Sequence, residues 1–304
     1  MYFPSGYFRK KALLALKGHW QPALLVALIV NLPTMLIQAF SAFSGNDLAE
    51  RLQAFIITAS RDGVLTQKTL IQEIDAILAS TAFWTIRGLE LLALLATPCL
   101  VLGMYKWLMD LLRGQEPPVS AVLNRVRYFF KSIGLQLMII LKVLLWMLPG
   151  IIASVALVYP AVQAATVQAQ QEALLRGQAY SLPVLLLMIV PGAIAALRYA
   201  LAEYVMAEKP ESKIRFCLRR SKELTDGRKK NLFALVVSFL LWYLLELLIA
   251  GLLSGVLSLV FQMLAGLTLN IWMACSISAF YLHLETAEQN HENPDAEPAP
   301  EQLN

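Results

Sequence analysis

Apolar residues run in six long stretches, each bounded by polar or charged residues. The stretches cover residues 20–41, 86–109, 133–158, 182–206, 231–253 and 256–283. Each reaches the roughly 20 residues that a helix needs to cross a hydrocarbon core about 30 Å thick. Pro33, Pro149-Gly150 and Pro191-Gly192 interrupt three of them. Such breaks are tolerated inside a span because neighbouring helices satisfy the freed backbone groups. The last two stretches meet between Gly251 and Gly255, so they predict a tight helical hairpin. The fold class that follows is all-α: a polytopic integral membrane protein with six transmembrane helices.

Shorter patterns lie between the spans. Val119, Val122, Leu123, Val126 and Phe129 recur at helical spacing, and Ile214, Cys217, Leu218, Ser221 and Leu224 repeat that spacing. Both stretches follow prolines (Pro117-Pro118 and Pro210), which suit a helix start. A weaker copy, Phe8, Ala12 and Leu16, precedes the first span. These predict amphipathic cytoplasmic helices in the membrane interface, apolar stripe toward the acyl chains and basic residues toward headgroup phosphates. The candidate contacts to anionic inner-leaflet lipid are Lys213, Arg215, Arg219, Arg220, Lys222, Arg228, Lys229 and Lys230.

The external segment 42–85 reads as a helical hairpin. Asp47 with Glu50 has the capping-box pattern, Leu48, Leu52, Phe55 and Ile56 share one face, and Leu70, Ile71, Ile74, Ile77 and Leu78 form a second stripe. Residues 1–284 make one membrane domain, readable as three repeated units (1–110, 111–206 and 207–284), each a short helix followed by two spans. Even loop lengths in any multi-pass protein produce the same pattern, so both readings stand. Residues 285–304 read as an acidic, disordered cytoplasmic tail.

Composition agrees with the pattern. The chain has 304 residues, 58% of them apolar and only 15% charged, against about 25% charged in a typical soluble domain. A soluble enzyme, a disordered chain and a collagen-like chain are excluded. Of the 25 Lys and Arg, eighteen fall in the N-terminal segment, in 106–131 and in 207–230, and five on the opposite side. By the positive-inside rule both termini are cytoplasmic. Arg9, Lys10 and Lys11 before the first span resemble a signal-peptide n-region, but Asn31 and Pro33 break the apolar stretch, so it is read as a retained span. Trp20, Trp107, Tyr204 and Tyr281 fall near the inner boundary, and Trp84, Tyr159 and Tyr180 near the outer one.

Ionisable residues inside spans are functional candidates. Lys142, Arg198, Glu203 and Glu246 form the candidate intramembrane polar site. Counted at about 1.5 Å per residue, they lie about 14, 12, 5 and 22 Å from the inner edge of their spans. Lys142 and Glu246 pair if the third and fifth spans touch. The scattered Cys99, Cys217 and Cys275, with His19, His283 and His291, match no metal or disulfide spacing. No catalytic motif such as HExxH, GxSxG or GxxxxGK[ST] occurs. The expectation is no enzyme, no catalytic residues, no metal, no cofactor and no nucleic-acid partner. Two roles remain: a non-catalytic component that organises or assists a membrane partner in export or envelope maintenance, or a carrier using Lys142, Arg198 and Glu246. The partners expected are anionic inner-leaflet lipids and a membrane or cytosolic protein.

Certain residues carry a resemblance. Arg198-Tyr199-Ala200-Leu201-Ala202-Glu203-Tyr204-Val205-Met206-Ala207-Glu208 is followed by Ser221-Lys222-Glu223-Leu224-Thr225-Asp226-Gly227, then by Leu232-Phe233-Ala234-Leu235, Ser238-Phe239 and Trp242. Lys11-Ala12 and Leu16-Lys17-Gly18-His19-Trp20 open the pattern, and Tyr281 closes it. Together they resemble the bacterial multi-pass membrane family filed as domain of unknown function 975. The resemblance covers most of residues 8–284 and is strongest over 198–242. Thr225-Asp226 stand where the family more often has Met and Lys, which argues against an essential basic residue there. The resemblance implies a bacterial cytoplasmic membrane and no known reaction or ligand.

Topology is directly testable. Reporter tags at both termini and within 211–228 are expected to read cytoplasmic, and a tag within 60–65 to read external. An external 211–228 segment overturns the six-span order.

Overall fold

The computed structural model of the chain describes residues 5–44, 53–55, 57–58, 67–162 and 167–292. Among them there is no strand. The elements are α1 (Ser5–Leu16), α2 (Trp20–Ser44), α3 (Gln67–Leu78), α4 (Thr81–Leu112), a 3-10 segment (Val119–Tyr128), α5 (Phe129–Val162), α6 (Val167–Tyr199), α7 (Ala202–Glu208), α8 (Ile214–Thr225), α9 (Lys229–Leu252) and α10 (Gly255–Glu292). Six helices are long and apolar enough to cross a membrane: α2, α4, α5, α6 with α7, α9 and α10. The chain is an all-α, multi-pass membrane protein.

Several helices outrun the bilayer. With 38 residues, α10 is about 57 Å long at about 1.5 Å per residue, nearly twice the hydrocarbon thickness of about 30 Å. The excess lies at the end that carries the basic loops, and there the buried residues concentrate. One cluster joins Phe8, Tyr204, Cys217, Phe239 and Tyr281, and another joins Leu16, Val26, Trp107, Val122 and Ile271. The opposite half of α5, α6, α9 and the start of α10 exposes Leu and Val almost continuously, including Leu145, Leu187, Leu247 and Leu257. That half takes lipid as its solvent, whereas the basic end is a packed helical layer.

The short helices therefore differ from expectation in where they face. The stripe of α8 (Cys217, Leu218, Ser221, Leu224) is buried against α7, α6 and α5, and Phe8, Ala12 and Leu16 of α1 are buried against α10 and α9. Protein, not acyl chain, covers these stripes, because the overlong spans supply apolar surface at that level. Residues 119–128 wind as a 3-10 helix rather than an α-helix. Three residues per turn keep Val122 buried and turn Leu123 and Val126 outward. Trp107, Tyr204 and Tyr281, expected at the lipid interface, are core residues, while Trp84, Tyr159 and Tyr180 are exposed as expected.

Glycine sets two features. Gly18 and Gly227 have φ of +86° and +70°, a region that costs other residues energy, and each turns a short helix into the span that follows. Elsewhere glycine permits close approach. A Cβ on Gly103 would strike the Val122 carbonyl, and one on Gly150 would strike the Met188 backbone. In the same α5–α6 hairpin Gly192 faces the Met147 side chain.

On the opposite side, α3 packs on α4 through buried Ile77, while Ile71 and Leu78 of its stripe are exposed. The capping box at Asp47 and Glu50, and Leu48, Leu52 and Ile56, lie outside the described residues. At the C-terminus α10 continues to Glu292, so residues 285–292 are helical instead of tail. The remainder, 293–304, lies outside the described residues.

Close packing at glycine gives a contrast. Gly103→Ala and Gly150→Ala are each expected to cost about 1–3 kcal/mol, since backbone cannot yield to an added methyl. Gly88→Ala, which meets open space, is expected to stabilise by up to about 1 kcal/mol. Thermal unfolding of the detergent-purified chain measures all three, and a neutral Gly103→Ala counts against the close approach.

Candidate functional site

The four intramembrane candidates do not converge. Arg198 ends α6 and Glu203 begins α7, because the helix breaks across Tyr199–Leu201. Lys142 lies with its Nζ 5.7 Å from the centre of the Tyr199 ring. Glu246 faces α10, its carboxylate 3.4 Å from where a Gly266 Cβ would stand. No ion pair joins Lys142 and Glu246 among the described residues. The physical reason is depth. Glu246 is about 9 Å from the far end of α9 at about 1.5 Å per residue, whereas Lys142 is about 25 Å from Tyr159 near the far end of α5. Moreover, α9 packs mainly on α10, α1 and α6.

What converges instead is the segment 198–227 at the basic end. Breaking a helix strands carbonyls that need donors. The Arg198 carbonyl receives the Ser221 hydroxyl at 3.0 Å, and the Thr225 hydroxyl, which donates to the Ser221 carbonyl at 2.9 Å, lies 3.5 Å from it. Both hydroxyl residues are fully buried on α8, so an interior hydrogen bond locks α8 to the break. The turn sends α7 inward, with Tyr204, Val205, Met206 and Ala207 buried. Tyr204 stacks on Tyr105 of α4 at 4.1 Å between ring centres and lies 6.1 Å from the Tyr281 ring of α10. The Tyr105 hydroxyl bonds the Glu203 carboxylate.

Glu208, the last residue of α7, is the hub. Its carboxylate accepts hydrogen bonds from Arg113, just past α4, and from the Tyr281 hydroxyl at 2.8 Å. Adjacent Lys209 pairs with Glu285 of α10 at 3.5 Å, and Arg220 of α8 pairs with Glu288. Charge thus clasps α4, α7, α8 and α10 together. Two indole N–H groups do similar work: Trp107 donates to the Pro117 carbonyl at 2.9 Å, and Trp272 to the Arg9 carbonyl at 3.2 Å. Sequence reasoning missed Arg113, Tyr105 and Glu285, since nothing local to those residues marks them as partners of α7.

The basic residues expected at the lipid surface divide into two groups. Arg219 and Arg220 pair with Glu223, Arg220 also with Glu288, and Lys229 with Asp226. Lys213, Arg215, Lys222, Arg228 and Lys230 make no ion pair among the described residues. With Phe216, several of them form the outward face of α8: Lys213, Arg215, Phe216 and Lys222 are exposed.

Burial pushes the Cys217 thiol up, and all three cysteines are buried and free. A buried thiol with a raised pKa is a poor nucleophile. Among the described residues no group of His, Cys, Asp and Glu could hold a metal ion. The family model described as "Protein of unknown function (DUF975)" matches residues 4–288. No curated protein and no solved structure matches the chain.

Two substitutions measure the hub. Glu208→Ala removes the acceptor of Arg113 and Tyr281 and is expected to destabilise by about 2–3 kcal/mol, while Tyr281→Phe costs about 1 kcal/mol. In a double-mutant cycle on thermal unfolding, Glu208→Ala and Arg113→Ala should couple, and Lys142→Met and Glu246→Leu should add. Coupling in the second pair and additivity in the first would reverse the assignment.

Proposed function

We propose a non-catalytic role for this chain, which belongs to the DUF975 family: it organises or assists a membrane partner at the inner face of a bacterial cytoplasmic membrane, with both termini cytoplasmic. One observation carries the reading. The buried residues of α7 and α8, Tyr204 to Ala207 with Cys217, Leu218, Ser221, Leu224 and Thr225, together with Tyr281, are spent on packing and on hydrogen bonds within the layer at the basic end. They make a rigid platform rather than a lining for a substrate. What the platform turns outward is basic and aromatic, Lys213, Arg215, Phe216 and Lys222, which is surface suited to an acidic partner or to anionic headgroups.

The carrier reading draws on Lys142, Arg198 and Glu246 meeting in one polar cavity. Glu246 sits in the opposite half of the bundle from the other two, and the groove between α2 and α4 is apolar, lined by Pro33, Leu36, Ile37, Leu89, Leu92, Ala93 and Ala96. Both observations weigh toward a component.

Purification from native membranes after chemical cross-linking, with identification of protein and lipid, tests the proposal. A partner in fixed proportion is expected, and Lys213→Glu with Arg215→Glu should release it while leaving the chain folded. Solute transport by the purified chain alone in proteoliposomes would overturn the reading in favour of a carrier.

A further inference from the structure

The α5–α6 hairpin holds two cations at one depth, and among the described residues no protein anion pairs with either. Its register is set by Gly150 against Met188 and Gly192 against Met147. The same register brings the exposed Tyr159 and Tyr180 level at one end and Lys142 level with Arg198 toward the other. Tyrosines with a polar tip mark the edge of the hydrocarbon. Measured from them at about 1.5 Å per residue, Lys142 lies about 25 Å and Arg198 about 27 Å across a core of about 30 Å. Both therefore stand within about one helical turn of the basic-side edge, where a long side chain reaches lipid phosphate.

The cations have little to satisfy them. The Arg198 Nε is buried without an acceptor. Lys142 has the Tyr199 ring and makes no ion pair among the described residues. The nearby polar groups are committed: the Ser221 hydroxyl to the Arg198 carbonyl, the Thr225 hydroxyl to the Ser221 carbonyl, and the Glu203 carboxylate to Tyr105. A charge at the edge of the hydrocarbon without a counter-charge is costly. The hairpin faces lipid, with Leu141, Leu145, Leu187 and Ile194 exposed around this level and above it, so the bilayer is the nearest source of an anion.

We propose that Lys142 and Arg198 together hold the phosphate of one glycerophospholipid of the basic-side leaflet, with Tyr199 packed beneath the Lys142 ammonium. Two cations for one phosphate favour a headgroup with net negative charge, such as a phosphatidylglycerol. A headgroup carrying its own ammonium would bring a third positive charge to the site. The assignment does not depend on any protein partner.

Native mass spectrometry of the full, delipidated chain in detergent tests it, titrated with phosphatidylglycerol or phosphatidylcholine. The unaltered chain is expected to retain one phosphatidylglycerol with about tenfold preference over phosphatidylcholine. Lys142→Met with Arg198→Met should abolish that preference, while Lys10→Met with Lys11→Met, an equal loss of charge on exposed positions of α1, should keep it. Lys142→Arg and Arg198→Lys, which preserve charge and fold, should retain the lipid. Absence of preference in the unaltered chain, or equal loss in both double variants, overturns the proposal. Displacement of the lipid by millimolar inorganic phosphate also overturns it, because the site then takes free phosphate.

Discussion

A carbonyl released inside an apolar bundle must find a donor, and the structure at the basic end follows from how one carbonyl finds it. When α6 stops at Tyr199, the Arg198 oxygen loses its helical partner. The Ser221 hydroxyl replaces it from α8. In water the break would cost little, because solvent would fill the gap. Here it requires a second helix at a fixed place, so α8 docks with its polar stripe positions inward. With α8 in place, α7 is held in the interior and delivers Tyr204 to the aromatic stack and Glu208 to Arg113 and Tyr281. The clasp between α4, α7, α8 and α10 is thus downstream of one helix break.

A second constraint is the mismatch between helix length and bilayer thickness. Spans of about 50 Å cannot be covered by about 30 Å of hydrocarbon, so their surplus must be covered by protein. The amphipathic short helices serve that purpose, and they spend on packing the apolar stripes that would otherwise seek lipid. Polarity within the bundle follows the same division. The packed layer pairs its charges across helices, as in Arg113 with Glu208 and Arg220 with Glu288. The lipid-facing half carries few charges, and those near the basic edge, Lys142 and Arg198, look outward for an anion.

Much of this was legible in the chain itself. The number of spans, their all-α character, the hairpin at Gly251–Gly255 and the amphipathic short segments follow from apolar run length and helical spacing, both local properties. The resemblance to the DUF975 family rested on residues that the fold gathers around one break.

Other features were decided by tertiary structure alone. A stripe such as Cys217, Leu218 and Leu224 states that one face must avoid water but not whether lipid or protein covers it. Only the surplus length of the neighbouring spans settles that in favour of protein. The seat of 119–128 on α4 rests on Val122 meeting Gly103, a contact between separate elements that no local spacing encodes. Depth along a span is not fixed by run length, because an apolar run does not separate residues packed on protein from those facing lipid. Lys142 and Glu246 pair only if the third and fifth spans meet at one level, and no ion pair joins them among the described residues. Partnerships such as Arg113 with Glu208 join residues nearly a hundred positions apart, and a single sequence holds no term that links them until the helices pack.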